Sequence, residues 1–195
     1  MHLSPELRLL RAPSAHYRDE VIRSAGGSAW RRALGRPLLS ALLTGTCTAV
    51  AATGHAGWAL ILSGTLCWSF VVLVQLAAAI GLVSSTRRRT SLPRTIDLFF
   101  LGYGAWSLWL LAAAAALITI PNAPRYAYII ILTGMVPAVW TAIVIFAFCR
   151  QVLELDVRRA AIRTLVHQAL IYAVVVSYFA WAVQLQPRIL AFLAS

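Results

Sequence analysis

The 195-residue chain is 61% apolar, has a mean hydropathy of +0.79 and carries a formal net charge of +11. Soluble domains are nearer half apolar, so these values exclude an ordinary soluble domain and point to an integral membrane protein. All 17 basic residues are arginine, the codon usage of a GC-rich bacterial genome, and they stand in short clusters between apolar runs. That placement suits anionic headgroups and topology rather than nucleic acid, which needs a basic groove in a soluble fold.

Residues 1–36 read as a cytoplasmic amphipathic arm. Ser4-Pro5-Glu6 is an N-cap, an N1 proline and an early acid, a helix start. Ser14 opens a second short helix with Tyr17, Val21 and Ile22 roughly on one face. Gly26-Gly27 breaks it, and Trp30 with Arg31, Arg32 and Arg36 forms an interfacial anchor. The arm is expected to lie on the membrane surface; the alternative is a docking helix for a soluble partner. No apolar run typical of a signal peptide precedes residue 37, so the first hydrophobic run is expected to act as an uncleaved signal anchor.

Residues 37–195 read as one transmembrane domain of five helices, with spans at about 38–53, 58–83, 98–120, 126–148 and 165–185. In the first span Ala41, Gly45 and Ala49 recur every four residues, a face that lets helix backbones approach closely. Gln75 is the most polar residue of the second. A lone glutamine in a span hydrogen-bonds a neighbouring helix, with substrate contact as the alternative.

The hinge that follows carries Arg87, Arg88, Arg89, Pro93 and Arg94. Thr95 is expected to cap the third span and Asp97 to sit in its first turn, complementing the helix dipole. The sharper reading of Asp97 is an acid at the bilayer edge that pairs with Arg94 or binds a cation or partner. Pro137 should kink the fourth span.

Residues 150–167 are amphipathic and are expected to lie along the interface. There Glu154 and Asp156 are spaced to pair with Arg158, Arg159 and Arg163. His167 stands at the entrance to the fifth span, where an imidazole titrates near neutral pH. With the N-terminus cytoplasmic and the C-terminus outside, fifteen arginines fall inside and only Arg125 and Arg188 outside, a strong positive-inside bias.

No HExxH, GxSxG, GxGD-like or P-loop motif is present, and no acid lies at mid-span. Cys47, Cys67 and Cys149 form no CxxC pair and read as small buried apolar residues. No catalytic residue, cofactor or metal is therefore expected.

Three stretches carry a family likeness: WRRALGRPLLSALLTGTCTAVAATG leading into GWALILSGTLCWSF, then DLFFLGYGAWSLWLL, then VPAVWTAIVIFAFCRQVLELDVRRAAIRTLVHQAL. Over roughly residues 30–185 the chain resembles the bacterial branch of the YIP-domain family, named for eukaryotic members that interact with Rab-type GTPases. The resemblance implies a polytopic five-span membrane protein with no catalytic residues. A Rab cycle is not implied for a bacterial chain.

The expected function is a non-enzymatic inner-membrane scaffold, accessory subunit or lipid-organising element. Arg31, Arg32, Arg87, Arg88, Arg89, Arg158 and Arg159 would face anionic lipid, a membrane-protein partner or a second copy of the chain. The alternative is a small transporter or channel for an uncharged or lipidic solute, built on Gln75 and Pro137.

Overall fold

The computed structural model describes residues 9, 11–22, 29–53, 57–84, 91–119 and 132–181. The described residues are helical, as expected, with no strand among them. The helices are α1 (Pro13–Ile22), α2 (Ala29–Thr53), α3 (Trp58–Ser84), α4 (Leu92–Leu101), α5 (Gly104–Thr119), α6 (Met135–Gln151) and α7 (Val157–Ala180).

α2 continues through Pro37, so the Trp30 anchor and the first expected span are one helix. Its threonine hydroxyls bond within it: Thr44 donates to the Ser40 carbonyl at 2.8 Å and Thr48 to the Thr44 carbonyl at 2.9 Å. The small-residue face does what its spacing predicts. Ala41, Gly45 and Ala49 are buried, and Gly45 lies where α2 packs on α3. At the crossing a Cβ on Gly64 would meet the Gly45 carbonyl oxygen at 2.5 Å, and one on Gly45 would strike the Thr65 backbone.

α3 and α7 run antiparallel. Near one end Arg163 donates to the Leu82 carbonyl at 2.8 Å; toward the other, Tyr178 donates to the Cys67 sulfur at 3.9 Å. The two contacts are fifteen positions apart on each helix, so the register is unbroken over roughly 22 Å. Trp68 and Phe70 pack on Tyr178, with Phe70 and Tyr178 ring centroids 4.4 Å apart. Cys67 is exposed, unlike the buried Cys47 and Cys149, which corrects the expectation for that residue.

The third expected span is broken. α4 ends at Leu101, and α5 leaves at 41° to it after Gly102-Tyr103. The Gly102 amide bonds to the Phe99 carbonyl at 3.1 Å, a tighter i−3 closure. Glycine is required there for space, because a Cβ would lie 2.6 Å from Val144 of α6.

α6 starts after an interruption at Gly134, which places Pro137 in its first turn, where proline costs little, rather than at a kink in mid-helix. The amphipathic stretch 150–167 is no separate interfacial element. After Gln151 a short turn passes through Glu154 at φ 54°, and Asp156 caps α7 by accepting from the Arg159 amide at 2.9 Å. That hydrogen bond, with the Arg159 charge, holds the Asp156 carboxyl below its usual range.

Crossing a bilayer takes about 20 apolar residues. Among the described residues α3 and α7 meet this, with mean hydropathies of 2.3 and 1.5 over their best stretches, and a third crossing is counted if bent α4–α5 is one span. This is fewer than the five expected. α2 carries Arg31 and Arg36 in its first half and many hydroxyls in its second, and α6 is apolar but only 17 residues long. Large apolar side chains face outward along both long helices, among them Leu62, Leu66 and Leu73 on α3 and Leu165, Leu170 and Val176 on α7. Such surface suits lipid rather than water.

Candidate functional site

The sequence places Asp97 in a first turn at the bilayer edge. The structure starts α4 earlier, with Ser91 as N-cap and Pro93 in the first turn, and Thr95 donates to the Ser91 carbonyl instead of capping. Asp97 therefore sits in the second turn, and every residue from Thr95 to Leu101 is buried. Asp97 is 1% exposed.

A carboxylate this deep is stable only when paired and hydrogen-bonded. Two guanidinium groups meet Asp97 among the described residues. Arg94, one turn earlier on α4, meets one carboxylate oxygen at 2.7 Å, and Arg36 of α2 pairs with the other. Arg36 also donates to the Asp97 backbone carbonyl at 3.0 Å. Arg94 reaches on to α1, where its Nη2 lies 2.6 Å from the Glu20 carboxylate and 3.0 Å from the Glu20 carbonyl. Two arginines and two acids thus alternate in one chain, Arg36–Asp97–Arg94–Glu20, tying three helices together.

The N-terminal arm enters the interior beside this cluster. Tyr17 of α1 is fully buried, packs its ring edge-on against Phe148 at 5.8 Å and donates to the Leu98 carbonyl at 3.2 Å. Burial raises its phenol well above the ordinary value, so it stays a donor. α1 packs along α6 and contributes to the core. Surface anchoring is therefore not the arrangement of Tyr17 and Val21, which are spent within the chain, while Ile22 stays exposed.

His167 is also interior, 3% exposed, nearly three turns into α7 rather than at its entrance. Phe99 of α4 is the hub beside it, with ring centroids 5.5 Å from His167 and 5.6 Å from both Phe148 and Tyr103. Neither ring nitrogen of His167 nor the Tyr103 hydroxyl finds a hydrogen-bond partner among the described residues. An unpaired buried polar group costs stability, and an apolar group of similar shape removes that cost. His167→Leu is expected to leave the fold intact and thermal stability unchanged or higher by about 1 kcal/mol. A loss of stability in a detergent melt would instead show that the imidazole makes a bond that matters.

Gln75 lies on the inward face of α3 with Val72, Ala79, Leu82 and Val83. Pro137 lines an apolar groove between α5 and α6, of about 350 Å³, walled by Ala105, Leu108, Trp109, Val136 and Trp140. Gln75 is not part of that groove, so the two residues named for a solute path are not brought together there. Arg31, Arg158 and Arg159 are exposed. Arg87, Arg88, Arg89 and the Arg32 side chain lie outside the described residues. No group of three metal-ligating side chains occurs among the described residues.

Sequence reading finds Asp97 and its Arg94 partner but misses Arg36, Glu20 and Tyr17 as members of the site. Tyr17 and Glu20 share a helix face at i, i+3, which is the available signal. Nothing local in the sequence says that this face meets α4, 74 residues away. No family model matches the chain, and neither the curated proteins nor the solved structures provide a match.

Proposed function

We propose that the chain is a non-enzymatic multi-pass protein of the bacterial inner membrane, a YIP-like helix bundle that organises lipid or supports a partner at its arginine-rich end. In this reading the N-terminus is cytoplasmic and the C-terminus outside. Five crossings are made by α2, α3, the bent α4–α5 pair, a fourth span containing α6, and α7.

The observation that carries the reading is the gathering of arginines at one end. Arg163 reaches the end of α3, Arg150 the α6–α7 turn, and Arg36 and Arg94 the α1–α4 cluster, while Arg158 and Arg159 open α7. At the far end of α7, Tyr178 and Trp181 are aromatic, and Tyr178 meets Trp68 near the middle of α3. Arginine gathered at one face is the pattern of a protein oriented in a bilayer. Exposed arginines near an anionic leaflet each attract it by about 1 kcal/mol.

Native mass spectrometry of the protein released from mild detergent tests this. It is expected to retain anionic phospholipid, and the double variant Arg158→Gln/Arg159→Gln to retain several-fold less. A bare monomer with neither lipid nor partner would remove the basis for the proposal. The apolar groove beside Pro137 favours a second reading, passage or holding of a lipidic solute, because its walls are almost wholly hydrocarbon.

A further inference from the structure

We infer that Arg94 belongs to a phosphate-binding site, and that α1 covers this site in the present structure with Glu20 in the phosphate's place. The inference deepens the proposed function and rests on its reading that this end of the bundle meets anionic lipid.

Arg94 has three acceptors: the Asp97 carboxylate from its own helix, and the Glu20 carboxylate and carbonyl from α1. The last two come from the final turn of α1, where the helix dipole adds negative character. Both accept from the same nitrogen, Nη2, so a carboxylate oxygen and a carbonyl oxygen stand side by side in a place that two oxygens of one phosphate can take. If α1 lifts away, Arg94 loses both and keeps only Asp97. One negative charge leaves a place where Arg94 is 11% exposed, and the cluster is left more positive by one unit. A phosphate that enters there restores the pairing that Glu20 gives up. At the membrane boundary the abundant anion is a phosphodiester.

α1 is built to come and go. It has ten residues, too few for a stable helix on its own, so it is ordered by what it touches. Arg18 and Asp19 face out and Ile22 is 76% exposed, while Tyr17, Glu20, the buried His16 and the half-buried Val21 face in where α1 packs along α6. The Tyr17 hydroxyl is seated on the Leu98 carbonyl, one turn before the break at Gly102. Lifting α1 therefore bares Arg94 and uncovers the bend between α4 and α5 in one movement.

The full chain, reconstituted in phosphatidylcholine vesicles containing spin-labelled phosphatidylglycerol, gives the test. Glu20→Gln removes the competing charge and is expected to raise the immobilised phosphatidylglycerol fraction with about tenfold tighter binding. Tyr17→Phe removes the Leu98 hydrogen bond without touching any charge and is expected to move it in the same direction by less. Adding Arg94→Lys to Glu20→Gln keeps a cation beside Asp97 but loses the planar fork, and is expected to reverse most of the gain. Inorganic phosphate separates the sources: a gain it abolishes assigns the site to the free ion, and one that persists assigns it to the headgroup. Folded Glu20→Gln and Tyr17→Phe proteins that bind like wild type would overturn the inference, as would a gain indifferent to Arg94→Lys. The wild-type preference for phosphatidylglycerol over phosphatidylcholine reads the proposed function separately. Its absence counts against that function and leaves the response to Glu20→Gln to decide the covered site.

Discussion

Asp97→Asn is expected to destabilise the protein by about 3 kcal/mol, a fall of roughly 6–12 °C in Tm. The substitution preserves volume and removes only charge. It leaves Arg94 and Arg36, which converge on this carboxylate from two helices, facing one another across a neutral amide. Breaking a buried pair costs far more than the pair contributes relative to an apolar replacement, because the remaining charge has already left water. Arg36 is 24% exposed and can turn partly to solvent, which holds the expected loss to the lower end of the range. The exposed Asp156–Arg159 pair at 3.2 Å makes the contrast, since an ion pair in water contributes little. Near-ultraviolet dichroism during a detergent melt measures the difference. A Tm within about 2 °C of wild type would mean that the cluster does not hold α1, α2 and α4 together.

Gly45→Val is expected to cost about 3 kcal/mol through overpacking. Its Cβ would enter the backbone of Thr65, and backbone cannot swing aside as a side chain can. α2 and α3 must then separate along their whole contact. Trimming the neighbour with Thr65→Ala should fail to rescue the variant, because the Thr65 amide nitrogen and Cα are among the atoms struck. Gly81 supplies the control. It lies in α3 with open space for 4 Å around the place an alanine methyl would take, so Gly81→Ala should be neutral or stabilising by up to about 1 kcal/mol. If both substitutions behave alike, close approach at Gly45 is not what holds the two helices.

What the sequence makes legible is faces and local chemistry. Every-four spacing at Ala41, Gly45 and Ala49 marks a packing face because helical geometry fixes which residues share a side. Asp97 and Arg94 are one turn apart, so their pairing is also a local matter. The rest of the site is not local. Arg36 and Glu20 reach Asp97 and Arg94 across 61 and 74 residues, and only the fold brings them there. Hydropathy likewise reads 98–120 as one continuous span, because Gly102 and Tyr103 do not lower the average. The break arises from the packing of Val144 against Gly102, which an average of hydropathy does not record. The interior position of His167 escapes the sequence for a related reason. Its neighbours along the chain suggest a headgroup boundary, whereas its neighbour in space is Phe99.

The unbroken register of α3 and α7 carries a mechanical consequence. Sliding one past the other by a single turn would strip Arg163 from Leu82 and pull Tyr178 off Phe70 together. The pair consequently behaves as a rigid strut. When the surrounding hydrocarbon thins or thickens, the strut answers by leaning rather than by telescoping, whereas the α4–α5 pair, already bent by 41° after Leu101, can answer by changing its angle.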